Sequence, residues 1–354
     1  MTNTLLHAEA VVGEQLSAQQ VQQWRDKGFV FVRDLLPAAL VDELAAAAGQ
    51  HYPAAGTPAA KAFTDFGSGG ALTFPSAISG LNQVSLHPGL LNAMAALLDT
   101  SVAGLRLSQS DLWAKYGRQG DALDKPASAR TDNNDQRMHV DYPNHTLVHP
   151  PPWQRPEAVE VILYLTDAVD NAGGTAVVPR SGPDDPAYRW PIVDSPGIGE
   201  LRYINPKGPA ETYFAEQRPH LAGWRQQLYQ RERQATYKAG DMLLYRHDTW
   251  HRGTPLAPGA RRLVHNLTYR KAGSEWISTL HAGWAWQAYR DDKMLERLVA
   301  TASVEQRCVL GFPAPGSDYW CAETLAAVEA RYGMFGFDST PYSHPDETWP
   351  ARAE

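Results

Sequence analysis

Apolar positions change their spacing twice along this chain, and the changes divide it into three stretches. The first is helical in rhythm. Ser17 and Gln20 form a capping box, and Leu16 is placed to staple onto Val21. This predicts a helix through Val21 and Trp24 that stops at Gly28. Phe29-Val30-Phe31-Val32 is a continuous apolar run and reads as a buried strand; Pro37 then opens a helix over 38–48, with Gly49 expected to halt it. Gly, Pro, Ala and Ser dominate from Tyr52 to Gly80, which reads as loops, and a further helix is expected over 88–98.

From Val102 the runs become short and strand-like: 105–116, 158–165, 175–178, 242–245 and 263–269. Turn signals separate them, namely Asn171-Ala172-Gly173-Gly174, Lys238-Ala239-Gly240-Asp241 and Pro258-Gly259. Many short strands without a strand–helix–strand alternation argue for a jelly roll or barrel. Helical patterning returns over 291–331, around the Gly-Phe-Pro-Ala-Pro-Gly loop at 311–316. The expected fold is mainly β (α+β) in one domain over 1–354. Its core is placed at about 102–272, with helical flanks at 15–100 and 275–335. The Trp and Tyr residues of the last stretch, such as Trp284, Trp286, Tyr319 and Trp320, are read as packing.

Composition narrows the function classes. At 43% hydrophobic and 10% aromatic, the chain can bury a core. A net charge of −7 and the lack of a basic run argue against nucleic acid. No apolar segment approaches a membrane span, and residues 1–14 lack the pattern of a signal peptide, so a cytoplasmic location without membrane partners is expected. Cys308 and Cys321 are too few for a disulfide framework, which fits a reducing compartment.

The candidate chemistry rests on His139-Val140-Asp141 and on His251. On a strand, residues two apart point to the same face, so His139 and Asp141 can meet one metal. The same spacing recurs at His344-Pro345-Asp346, but with a Pro inside it and no later His; that copy reads as a turn. His251 follows the apolar run 242–245, which can deliver its ring to a site inside a barrel; His145, His149, His247 and His265 are competing imidazoles. Two His and one carboxylate hold Fe(II) on one face and leave positions for a 2-oxo acid and O₂. The presence of Asp141, where a small residue would make room for a halide, favours hydroxylation over halogenation. Arg262, eleven residues after His251, offers a planar guanidinium for a carboxylate. Strand alternation puts it on one face with Val264, Asn266 and Thr268, and Arg261 on the other with Leu263, His265 and Leu267.

In these residues the chain resembles the phytanoyl-CoA dioxygenase family of Fe(II)/2-oxoglutarate-dependent oxygenases. The likeness extends to the opening (Leu16 to Trp24, Gly28 to Val32, Leu36-Pro37) and to 171–175, 178–182, 240–244 and His251-Arg252-Gly253. It implies a double-stranded β-helix, His139, Asp141 and His251 on iron, and Arg262 on 2-oxoglutarate. Two departures stand out: Pro179-Arg180-Ser181-Gly182 replaces the family's Pro-Gly-Ser-His, and Gly253 stands where a hydroxyl residue is common, which makes Thr254 the substitute. Lys115 is a further candidate co-substrate contact.

The substrate is expected to be a small polar or anionic molecule, with Arg137, Tyr142, His145 and Arg180 as candidate contacts. Two other readings compete: a jelly roll that binds a small molecule without turnover, and a cupin-like metal hydrolase or isomerase. Neither needs Arg262. Substrate identity and oligomeric state are not legible at this level.

Overall fold

The computed structural model describes residues 4–63, 70–117, 135–141, 148–189, 191–274, 291–309 and 312–343. The chain forms two compact units: residues 1–139, 158–183 and 205–272 make the first, and residues 140–157, 184–204 and 273–354 the second.

The first unit is a double-stranded β-helix with helices packed on one sheet. Its strands are β1 (Thr4–Leu6), β2 (Glu9–Ala10), β3 (Phe29–Arg33), β4 (Leu72–Thr73), β5 (Leu105–Tyr116), β6 (Ala158–Tyr164), β7 (Thr175–Val177), β8 (Arg233–Ala235), β9 (Met242–Arg246), β10 (His251–Gly253) and β11 (Arg261–Lys271). A seven-stranded sheet has the order β2-β3-β9-β6-β11-β5-β4, and a four-stranded sheet the order β1-β8-β7-β10. The helices are α1 (Ala18–Lys27), α2 (Ala38–His51), α3 (Ser79–Ser85), α4 (Pro88–Leu98), α5 (Lys207–Gln217) and α6 (Ala222–Arg231).

The capping box at Ser17 and Gln20 forms, and Gly28 ends α1 with φ 91°. Gly49 does not halt α2, which runs on to His51. Residues 52–80 are not all loop, since β4 and the start of α3 lie there, and the two helices at 207–231 had no counterpart in the expectation.

The large sheet is covered on both faces, which explains why strands such as β9 are buried at every position. One face packs Leu112, Val161, Leu163, Leu244, Leu263 and Leu267 against Trp24, Leu44, Leu81 and Met94 of the N-terminal helices. The other face meets the small sheet through Phe31, Tyr164, Leu243, Tyr245 and Val264, opposite Val177 and Ala235. A fully buried large apolar side chain contributes roughly 1.5–3 kcal/mol. The two layers together therefore hold the inner faces of β5, β6 and β11 firmly in register.

The second unit contains α7 (Met294–Thr301), α8 (Val304–Val309), α9 (Ala322–Tyr332) and α10 (Thr340–Ser343). Phe312 sits among the rings of Trp320, Tyr332, Phe337 and Tyr342. Buried Arg307 lies 4.3 Å over the Phe337 ring and donates to the carbonyls of Val299 and Ala300. Tyr319 and Trp320 thus serve packing, while Trp284 and Trp286 lie outside the described residues.

Candidate active site

His139 and His251 face each other through a reciprocal backbone bridge: His139 N–H donates to His251 O at 3.0 Å, and His251 N–H to His139 O at 2.9 Å. Their ring centroids are 4.4 Å apart. Each ring is oriented in the same way. Nδ1 of His139 lies 3.0 Å from Arg137 O, and Nδ1 of His251 lies 2.9 Å from Thr249 O. A carbonyl only accepts, so Nδ1 carries the proton in both rings and Nε2 presents its lone pair. Asp141 completes the group, and one ligand atom from each residue lies within 4.8 Å of the others. Three atoms that close fit within about 2.8 Å of one point, against roughly 2.0–2.2 Å for His and carboxylate bonds to a divalent metal. The donor set therefore fits a divalent metal after a small contraction. Among the described residues it is the one such group.

Two buried arginines fix the segments that carry these ligands. Arg225 of α6 donates to Met138 O at 2.9 Å and to both oxygens of Glu211 on α5, at 2.7 and 2.6 Å. Tyr229 closes the network: it donates to Glu211 at 2.6 Å and accepts from Met138 N–H at 2.8 Å. Both backbone groups of the residue before His139 are thus held. Arg252, next to His251, grips Glu232 through two bonds of 2.6 and 2.7 Å and also binds Asp135, in the segment leading to His139. Burial alone pushes the Arg252 guanidinium down, but hydrogen bonds and charge from Glu232 and Asp135 raise it above its ordinary value, so it stays charged. None of these positioning residues was singled out in the sequence; their partners lie 14 to 117 residues away.

Arg262 and Lys115 are cross-strand partners on β11 and β5. They share the face that carries Val264 and Trp113, between the sheets. Arg262 is buried, binds the Gly173 carbonyl through Nη1, and makes no ion pair among the described residues; its Nε has no hydrogen-bond partner there. Directly opposed like charges destabilise a strand pair, so the arrangement suits an anion. Thr254 Oγ1 donates to Gly174 O at 2.6 Å, so its proton is committed to the turn that also supplies the Gly173 carbonyl. A Cβ at Gly174 would lie 1.6 Å from Ala235 O, which is why this turn needs glycine. At Gly253 the space of a side chain is taken: a Cβ there would lie 2.4 Å from Gln136 Oε1 and 3.5 Å from Lys115 Nζ. Lys115 therefore reaches from β5 to the strand that carries His251.

Arg261 is on the opposite face and caps the end of α2 through the carbonyls of Gly49, Tyr52 and Pro53. Arg137 is 2% exposed and donates to Asn205 Oδ1 at 3.1 Å; Arg180 is 7% exposed and donates to Pro183 O at 2.6 Å. Neither lies on an open rim. Tyr142 and His145 lie outside the described residues. The competing imidazoles have other partners: His247 pairs with Glu160, His149 accepts from Ile192 N–H, and His265 lies 2.8 Å from Ser110 Oγ. Burial depresses His265 to about 3.

The sequence pattern of the phytanoyl-CoA dioxygenase (PhyH) family matches residues 24–263. The chain belongs to this family. As a PhyH-family protein it is a non-haem iron, 2-oxoglutarate-dependent oxygenase that uses Fe(II), 2-oxoglutarate and O₂. No curated protein matches it by sequence. Among solved structures, it is similar to the non-heme alpha ketoglutarate dependent carbocyclase SnoK from nogalamycin biosynthesis, at 16% identity over 75% of this chain and 88% of that one, TM-score 0.49. EvdO2 from Micromonospora carbonacea var. aurantiaca is 15% identical over 75% of this chain and 94% of its own, TM-score 0.49. EctD from S. alaskensis, solved with 2-oxoglutarate and 5-hydroxyectoine, is 18% identical over 78% and 84%, TM-score 0.49. Among the described residues, no helix of this PhyH-family chain is long and apolar enough to cross a membrane.

Proposed function

We propose that the protein hydroxylates a C–H bond of a small polar molecule, with His139, Asp141 and His251 on the iron and Arg262 on the distal carboxylate of 2-oxoglutarate. The observation that carries the co-substrate reading is the cation pair of buried Arg262 and half-buried Lys115, abreast on neighbouring strands. When bound, iron supplies O₂ activation coupled to loss of CO₂ from 2-oxoglutarate; one oxygen atom ends in the product hydroxyl and the other in succinate.

The chain's own groups do the rest. Nε2 of each His offers a fixed lone pair, because the carbonyls of Arg137 and Thr249 hold the Nδ1 protons. Asp141 brings the charge that two neutral imidazoles lack. Arg262 offers two parallel N–H groups in a site with few other charges, where they hold a carboxylate in one orientation. Thr254 acts through the Gly173–Gly174 turn that seats Arg262. The inner faces of β5, β6 and β11 beyond Arg262 are polar, which supports a polar substrate. There Thr268 donates to Glu160 at 2.6 Å, Gln109 Oε1 lies 3.1 Å from Thr268 Oγ1, and buried Asn266 Oδ1 has no partner among the described residues.

Purified protein with Fe(II), 2-oxoglutarate and O₂ should release succinate, even slowly and uncoupled in the absence of substrate. Succinate release that survives replacement of either His ligand by Ala would sink the metal assignment. Chlorinated product from a turnover with excess chloride would sink hydroxylation.

A further inference from the structure

Tyr237 lies between β8 and β9 and belongs to the cluster between the two sheets, with 3% of its surface exposed. Its ring stacks on that of Tyr164, with centroids 4.1 Å apart and planes 13° from parallel. The two hydroxyls differ in their engagements. Tyr164 OH donates to Thr175 Oγ1 at 3.1 Å and accepts from Thr175 N–H at 3.2 Å. Tyr237 OH has no hydrogen-bond partner among the described residues. Its donor is thus uncommitted among the described residues and available to an acceptor placed between the two sheets.

The acceptor's place follows from the neighbours. A Cβ built on Gly173 would lie 3.4 Å from the Tyr237 oxygen, and Arg262 Nη1 binds the Gly173 carbonyl. Tyr237 and Arg262 therefore converge on one spot. Burial raises the Tyr237 hydroxyl to about 12, with the Arg262 charge pulling against that rise, so it is a neutral donor at physiological pH. Its stacking on Tyr164, itself tied to Thr175, fixes the direction of the O–H group, and ordering it on binding costs little entropy.

We propose that Tyr237 is a further binding residue for 2-oxoglutarate, its hydroxyl donating to the same distal carboxylate that Arg262 holds. The inference rests on the co-substrate reading of Arg262. A carboxylate offers about four acceptor sites, so two N–H groups from Arg262 leave room for a hydroxyl donor. The locked ring makes this contact sensitive to where the carboxylate ends, and hence to the presence of the distal group.

The test is calorimetric binding of 2-oxoglutarate and of pyruvate, which lacks the distal carboxylate, to the full chain loaded with Mn(II) in place of iron. Tyr237→Phe keeps the stacked ring and removes only the hydroxyl. It should raise the Kd for 2-oxoglutarate about tenfold, with Mn(II) affinity, Kd for pyruvate and Tm unchanged. An unchanged Kd for 2-oxoglutarate, or an equal loss for pyruvate, would overturn the role of Tyr237. Arg262→Leu separates the two levels of the argument. If that variant weakens 2-oxoglutarate while Tyr237→Phe does not, the Tyr237 inference alone fails. If Arg262→Leu has no effect, the co-substrate reading fails with it.

Discussion

Replacing Arg252 with Met would remove three charge-assisted bonds at once, but these are unequal. The Asp135 side chain is 43% exposed, so water and salt weaken that arm and it contributes little. Glu232 is 4% exposed and accepts two bonds of 2.6 and 2.7 Å. Without Arg252 its carboxylate is left buried and uncompensated, which costs about 3–5 kcal/mol. At roughly 2–4 °C per kcal/mol for a unit of this size, Tm should fall by about 10 °C. The double variant Arg252→Met/Glu232→Leu strands no charge and should recover most of that loss, because an apolar pair of similar volume often equals a buried ion pair. Metal affinity should behave differently. Arg252 ties the strand of His251 to the segment ahead of His139, and loss of such support typically weakens a metal site 10- to 100-fold. Both variants should therefore bind Co(II) weakly in anaerobic titration, although only the single variant is unstable. A double variant that binds Co(II) as tightly as the parent would refute the positioning role and leave the clamp as a stability element.

The adjacent arginines should separate cleanly. Arg261→Leu should cost about 1–3 kcal/mol in denaturant unfolding and leave the KM for 2-oxoglutarate alone, because it removes three carbonyl bonds at the end of α2. Arg262→Leu should raise that KM roughly 100-fold without loss of Tm, since it removes a buried cation that has no ion-pair partner among the described residues. His265 is neutral in the fold down to pH about 3 but titrates near 6.5 when unfolded, so the unfolded state takes up the proton first. Stability should therefore fall as pH drops below 6.5, by about 2 kcal/mol at pH 5, and chemical denaturation of His265→Gln at pH 7 and 5 should show a smaller difference. Gly174→Ala should prevent accumulation of folded protein in a solubility assay, because its Cβ would meet a backbone oxygen that cannot move aside.

Local signals in the sequence carried the fold a long way. Ser17 and Gln20 mark a helix start through their own hydrogen bonds, and the runs at 158–165 and 242–245 mark strands buried on both faces. Gly49 misled because Arg261, more than 200 residues later, binds carbonyls at the end of α2 and lets the helix run past the glycine. Helices α5 and α6 were hidden because much of their anchoring is ionic: Arg225 is buried by its bonds to Glu211 and Met138, not by an apolar stripe. Strand alternation distinguished Arg262 from Arg261 and put each on its own face. Alternation could not show that Arg137 and Arg180 are buried, since that depends on Asn205 and on the fold of 180–183.

The reciprocal bridge between His139 and His251 bears on how this site can change over time. The spacing of the two imidazoles is set by main-chain hydrogen bonds, which replacement of either side chain leaves in place unless it brings in proline. Asp141 stands two residues beyond that bridge, so its identity can vary without disturbing the frame that holds the two rings. A lineage carrying this frame can explore new reactivity by single substitutions at the third ligand while the protein continues to fold. Heritable variation in chemistry is thereby uncoupled from variation in architecture.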